Sequence, residues 1–111
     1  MVEITRGDLV LVAFAGGYGK VRPAVIVQAD AFTESFGSVI ACPFTSISGK
    51  NEVARVSVVA TNGNGLEIDS TIMVEKISAV PRDKIARVIG HLEDEAVARL
   101  DLSLAALLGL A

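Results

Sequence analysis

The sequence predicts a mainly β domain: a small, strongly curved antiparallel sheet or partly open barrel with one C-terminal amphipathic helix. Three observations lead there. Short apolar, β-branched runs recur between Leu9 and Leu92, separated by turns rich in glycine, asparagine and proline. The pattern changes after Glu93, where Val97, Leu100, Leu104, Leu107 and Leu108 fall at helical spacing. No internal repeat, low-complexity tract or linker divides the 111 residues, so one domain spanning residues 1–111 is expected.

Arg6-Gly7-Asp8 reads as a turn and Leu9 to Phe14 as the first strand. Ala15 to Val21 holds three glycines and the chain's one tyrosine, Tyr18. It reads either as an ordinary hairpin loop or as a segment able to close over a ligand. Pro23 has no N–H for a ladder and suits a strand's first residue, while its ring drives Arg22 toward extended backbone. Ala24 to Val27 is uninterrupted and apolar, as in a strand covered on both faces. Ala31 to Phe36 suits a helical turn or two behind an Asp30 N-cap, ended by Gly37. Ser38 to Cys42 is a further strand; Pro43 is expected to break the ladder at its end, with Thr45 and Ser46 at the exit.

Ser48 to Glu52 forms a polar loop. Val53 to Val59 alternates as a half-exposed strand, Arg55 and Ser57 opposing Val56 and Val58. Thr61-Asn62-Gly63-Asn64-Gly65 is the strongest turn signal in the chain. Ser70 to Val80 reads as one strand interrupted by the charges of Glu75 and Lys76. Pro81 to Lys84 turns the chain into a last strand, Ile85 to Leu92. The helix should run from Glu93 or Asp94 to about Leu108, acids in its first turn complementing the helix dipole and Gly109 ending it.

Composition narrows the function. At 51% hydrophobic and 21% charged residues the chain is of the folded kind. No apolar run approaches the roughly 20 residues of a membrane span, and Met1 to Arg6 lacks the marks of a signal peptide. The lone Cys42 can form no internal disulfide; it reads as a small buried hydrophobe, and a cytoplasmic location is expected. Glu93, Asp94, Glu95 and Asp101 against Arg99 account for the whole net charge of −3. The remainder is neutral, which leaves room for a local basic groove but not for non-specific, salt-sensitive binding to long nucleic acid.

There is no phosphate-binding loop of the Walker kind, no GxGxxG and no GxSxG. One histidine, one cysteine and scattered acids suggest neither a zinc site nor a two-metal cluster, so no metal or cofactor is expected. What remains is Arg22 at the mouth of a rigid strand, the hydroxyls of Thr45 and Ser46, and Glu75 and His91. Taken alone, Arg22 is as readily a structural arginine as a clamp for phosphate or carboxylate. The whole inventory suits metal-free stabilisation of a phosphorane-like transition state.

Those residues carry a resemblance. Arg6-Gly7-Asp8-Leu9-Val10, a Gly-rich loop, and then Arg22-Pro23-Ala24-Val25-Ile26-Val27-Gln28-Ala29-Asp30-Ala31-Phe32 resemble the opening of the MazF/PemK/Kid toxins. Val39 to Ser46 is similar to that family's apolar strand ending in Pro-x-Thr-Ser. Gly65-Leu66, Asp69-Ser70, Glu75-Lys76-Ile77, Asp83-Lys84 and Ile89 to Glu95 follow in the family's order and spacing. The resemblance implies an SH3-like barrel of the CcdB/MazF type, a homodimer and a cognate antitoxin partner. It also implies a ribosome- and metal-independent endoribonuclease, leaving 2′,3′-cyclic phosphate and 5′-hydroxyl ends on single-stranded RNA. It matches the catalytic arginine and threonine to Arg22 and Thr45, and Ser46 and Glu75 to positions near the RNA groove; Lys20 and Tyr18, in the stretch leading to Arg22, are further candidate substrate-binding residues.

The chain departs from the family in its short Ala15–Val21 loop. Met73 stands where one branch has a second catalytic arginine, and Ser78-Ala79-Val80 replaces the common Arg-Thr-Ile. A guanidinium clamps a phosphate better than it removes a proton, which makes Glu75 the better candidate base, while His91 reads as structural because a lone histidine is usually packed or solvated. Other functions on the same barrel are a non-catalytic gyrase poison of the CcdB type, or an inactive member kept for antitoxin contacts.

Overall fold

In the computed structural model, which describes residues 3–13, 20–46 and 54–111, the sheet is organised around a strand that serves three partners. The elements are β1 (Asp8–Ala13), β2 (Val21–Ile26), α1 (Asp30–Thr33), β3 (Ser38–Thr45), β4 (Val56–Val58), β5 (Ser70–Ile72), β6 (Ser78–Pro81), β7 (Ile85–His91) and α2 (Asp94–Leu107). All strand pairs are antiparallel; β4, β5, β3, β2, β1 and β7 follow one another across the sheet, and β6 joins β3 separately. This is the mainly β, curved architecture with a C-terminal helix that the sequence predicts.

One edge of β3 lies along β2, from Ala41 to Pro43. Its other edge pairs first with β6, through Ser38 to Ala41, and then with β5, through Phe44 and Thr45. Pro43 falls at the changeover. Its carbonyl accepts from Met73 N at 2.8 Å, so its nitrogen faces that same edge, where neither partner asks for a donor. The strand therefore continues through Pro43, against the expectation that it ends there. A proline is costly in a sheet only where its missing N–H leaves a ladder bond unmade.

The same changeover divides the single strand expected over Ser70 to Val80. The chain leaves β5, makes a 3-10 turn at Val74–Lys76, and starts again as β6. Lys76 N and Ile77 N bond back to Met73 O and Val74 O at 3.0 and 3.1 Å, and the Val74 side chain is fully buried beneath. The Glu75-Lys76 interruption in the apolar run marks this break. Asp30 is likewise the first helical residue of α1 instead of its cap, because its carboxylate accepts Arg6 N at 2.6 Å. The helix stops at Thr33, leaving Phe36 outside it and exposed.

The both-face burial expected of Ala24 to Val27 is met. Val25, with Leu9, Cys42 and Phe44, packs under Leu100 and Leu104 of α2, whereas Ala24 and Ile26, with Val10, Val12 and Val39, pack toward Val80 and Ile85. Leu107 and Leu108 do not join: they are 42% and 54% exposed, and Ala96 completes the buried stripe. Arg6 ties α2 to this layer, its Nε donating to Val27 O and its Nη2 to Asp101, each at 2.8 Å. Val56 and Val58 are buried and Ser57 exposed, as alternation requires, but β4 spans only those three residues.

The Thr61–Gly65 turn is locked by a fully buried amide. Asn64 Oδ1 accepts Thr61 N and Leu66 N, and its Nδ2 donates to Val59 O and Glu93. Every hydrogen-bonding group of the side chain is thereby occupied, as a buried amide requires. The turn also lies directly against β7. A Cβ on Gly90 would stand 2.3 Å from the Asn64 carbonyl carbon, and one on Gly65, whose φ is 75°, would stand 2.2 Å from Ile89 O. Gly90→Ala should therefore lower the unfolding free energy by about 1–3 kcal/mol or more, read from denaturant midpoints. An unchanged midpoint would show that the turn does not press on β7.

Glu93 accepts from Thr61 Oγ1 at 2.7 Å and from Asn64 Nδ2 at 3.0 Å, and these bonds hold its carboxyl below the ordinary 4.5. A depressed folded-state pKa gives stability that is complete above the unfolded value and is lost as pH falls through the folded one. Thermal unfolding from about pH 3 to pH 7 should show a shallower acid-side loss for Glu93→Gln than for the wild-type chain. Parallel curves would remove Glu93 from that role.

Candidate functional site

Antiparallel register decides what meets at one end of the sheet. β1 lies between β2 and β7, with Leu11 facing Pro23 on one side and Arg87 on the other. Arg22 and Arg87 thus stand on strands two apart, about 10 Å between their backbones at normal strand spacing. The end of β3 adds Thr45, paired with Thr71 of β5, and the exposed Ser46 after it. Leu66, Glu67 and Ile68, carried by the segment after the buried Asn64 turn, form the facing wall.

Together these residues enclose an open cleft of about 410 Å³. Leu11, Pro23, Phe44 and Ile89 give it an apolar floor; Arg22, Thr45, Ser46, Glu67, Ser70 and Arg87 supply its polar groups. A mostly apolar depression with a few converging polar groups is the usual form of a small-ligand site. Two guanidiniums against one carboxylate suit an anion.

The chain's other arginines are committed elsewhere. Arg6 bonds Val27 O and Asp101, Arg55 bonds Glu75, Arg82 donates to Thr33 O, and Arg99 is held by Glu95 and Ser57 O. Arg22 and Arg87 have no hydrogen-bond or ion-pair partner among the described residues. An arginine already paired is a poor receptor for an incoming anion; these two are available.

Of the residues singled out in the sequence, Arg22, Thr45 and Ser46 come together in the cleft. Lys20 is exposed just before β2 and is not part of the lining, and Tyr18 lies outside the described residues. Glu75 sits on the 3-10 turn, away from the lining, where Arg55 Nε and Nη2 approach its oxygens at 3.2, 3.0 and 2.6 Å. Those bonds hold its carboxyl below the usual range, which makes it a weaker base as well as an occupied one. Met73, on the approach to that turn, is also outside the lining. His91 Nδ1 lies 2.9 Å from Asp8 Oδ1, over the Gly7 turn and apart from the cleft. Cys42 is fully buried, and burial pushes its thiol up to about 12, far from a nucleophilic thiolate.

Arg87 and Glu67 are the cleft residues that sequence reasoning missed. No motif marks Arg87; it reaches the site only because β7 returns beside β1, a pairing between positions far apart in the chain. Glu67 could have been suspected from its place directly after Gly65-Leu66. Among the described residues no three His, Cys, Asp or Glu side chains are grouped as a metal site would need, and no helix is long and apolar enough to cross a membrane.

Comparison with known proteins places this architecture. Residues 5–108 match the model of the PemK-like, MazF-like toxin of type II toxin–antitoxin systems. The chain is 35% identical over 107 residues to a protein of Mycolicibacterium smegmatis named "Probable endoribonuclease MazF", covering 96% of this chain and 97% of that one. It is 27% identical to endoribonuclease EndoA of Bacillus subtilis, over 78% and 74% of the two chains. In three dimensions it superposes on a mycobacterial endoribonuclease solved with its cognate antitoxin at a TM-score of 0.83, with 18% identity and 98% of each chain covered. A MazF structure from Deinococcus radiodurans gives 0.79, with 22% identity and 96% of each chain covered.

Proposed function

This chain belongs to the PemK-like, MazF-like toxins of type II toxin–antitoxin systems, and we propose that it is an endoribonuclease that cuts single-stranded RNA by internal transesterification. The observation that carries the reading is the meeting of Arg22, unpaired among the described residues, with Thr45 and Ser46 in one cleft. The names of its relatives in Mycolicibacterium smegmatis and Bacillus subtilis support the activity. The mycobacterial neighbour solved with its antitoxin supports control by a cognate antitoxin protein. As in the sequence-based expectation, the chain acts as a homodimer in the cytoplasm.

The reaction needs no covalent enzyme intermediate. The RNA's 2′-oxygen attacks the adjacent phosphorus as it gives up its proton to a base, the bond from phosphorus to the 5′-oxygen breaks, and that oxygen takes a proton from water, giving a 2′,3′-cyclic phosphate and a 5′-hydroxyl. Negative charge accumulates on the non-bridging oxygens at the transition state. Arg22 is permanently charged and lies at the edge of a rigid, both-face-buried strand, so it neutralises that charge with little reorganisation. The Thr45 and Ser46 hydroxyls add donors from the end of β3. Glu67 is the carboxylate that lines the cleft, and we assign to it acceptance of the 2′-hydroxyl proton, in place of Glu75.

With long single-stranded RNA in chelator, the wild-type chain should cut, and its products should carry 5′-hydroxyl ends. Arg22→Ala should slow cleavage by about 10²–10³-fold, and Thr45→Val should slow it to a smaller extent. Persistent cutting by Arg22→Ala, or cutting only when magnesium is added, would overturn the mechanism. Trapped gyrase–DNA complexes with RNA left intact would instead indicate a binder on the same fold. For the base, Glu67→Gln should lower kcat by about 10²–10⁴-fold while RNA affinity stays within a few fold. An unchanged kcat in Glu67→Gln would place proton transfer on another group.

A further inference from the structure

We infer that Arg87 forms a second phosphate subsite, holding the phosphodiester next to the one being cut. The inference rests on the RNA-cleavage reading and adds to it a residue on another strand, with a different task from Arg22.

The argument starts from availability. An exposed arginine is ordinarily just solvated, and a lone one would mean little. In this chain, however, Arg6, Arg55, Arg82 and Arg99 each hold a carboxylate or a carbonyl. The two that hold neither among the described residues, Arg22 and Arg87, line the same cleft. Arg87 makes no hydrogen bond or ion pair among the described residues, and its neighbour across the sheet is the apolar Leu11.

Geometry then assigns the task. Leu11 is opposite Pro23 on β2 and opposite Arg87 on β7, so one apolar side chain lies between the two cationic strands. Leu11, Pro23 and Ile89 form a floor on which a nucleoside can lie, with Arg87 beside Leu11 on the β7 side; Arg22, opposite Val12 and next to Pro23, lines the cleft from the β2 end. Phosphate, nucleoside, phosphate is the repeat of a nucleic-acid strand. The roughly 10 Å between backbones two strands apart, bridged by two long side chains, suits neighbouring phosphates of one strand. Glu67 on the facing wall repels a polyanion, and Arg87 offsets that charge without taking Arg22 from the scissile phosphate.

A residue of this kind positions substrate. Its loss appears in affinity and salt dependence far more than in the chemical step. The test uses an RNA oligonucleotide spanning a mapped cut, with a 2′-deoxy sugar at the cleavage position so that it binds without reacting. Arg87→Ala should bind it about tenfold more weakly and reduce the slope of log affinity against log salt by about one. Arg87→Lys should recover most of the affinity, because a phosphate is also met by a point charge. Cleavage at saturating RNA should fall far less than for Arg22→Ala. Replacing the phosphate beside the cut with a neutral methylphosphonate should weaken wild-type binding by the same factor and add nothing to Arg87→Ala.

Unchanged affinity and salt slope in Arg87→Ala, with its melting temperature preserved, would overturn the subsite. So would a methylphosphonate effect that simply adds to that of the substitution. If Arg87→Ala melts early, the Arg87→Lys chain and the methylphosphonate series on wild-type protein decide the matter. Failure of the wild-type chain to bind or cut RNA at all would be a different result: it would overturn the cleavage reading, and the subsite with it.

Discussion

A strand that must satisfy different partners along one edge is the constraint on which this structure depends. β3 serves β6 and then β5 on that edge, and Pro43 stands at the changeover, where no ladder bond is asked of it. Because β5 and β6 occupy consecutive lengths of the same edge, the chain between them needs a turn, and Val74–Lys76 provides it. Because β5 takes the far end of β3, Thr45 is carried beyond the changeover to the cleft, while the middle of β3 stays buried against β2. Curvature of the sheet and placement of a hydroxyl in the cleft are thus one event in the backbone.

The opposite wall is held by a different device. Asn64 is wholly enclosed, bonded to two backbone amides, one carbonyl and the Glu93 carboxylate. Glu93 precedes α2, so the turn, the start of the helix and β7 are fastened at one place. Leu66, Glu67 and Ile68 leave that fastening directly into the cleft wall. Rigid backbone on both sides matters for a site whose effect is electrostatic, since donors already in place do not have to reorganise as charge develops. Arg55 and Glu75 contribute locally: their paired bonds brace the 3-10 turn, a partly exposed contact worth about 0.5–1 kcal/mol.

Local patterns carried much of this architecture in readable form. The Arg22-Pro23 corner, the both-face burial of the strand behind it and the amphipathic α2 all follow from residues close together in sequence. Their physical causes, a missing N–H, a β-branched run and a helical period, act over a few residues. The charges of Glu75 and Lys76 marked an interruption, but the change of partner there and the continuation through Pro43 were not legible, because each depends on which strand lies alongside. The cleft divides in the same way. Arg22, Thr45 and Ser46 could be named from one strand entrance and one strand exit. Arg87 could not, since its place depends on β7 pairing with β1. Glu75 looked like a base until its Arg55 partner was visible, and an acid's availability is a property of its neighbours.

The apolar floor between β2 and β7 has a consequence for target choice. A nucleoside can rest on Leu11, Pro23 and Ile89 only after it has left its stack, and unstacking or unpairing costs a few kcal/mol. In a hairpin stem that cost is charged in full, and in an open loop it has already been met. The folding of the transcript would therefore act as a filter ahead of any reading of base identity. Two copies of one cleavage sequence, one in a stem and one in a loop, would have very different lifetimes in the same cell.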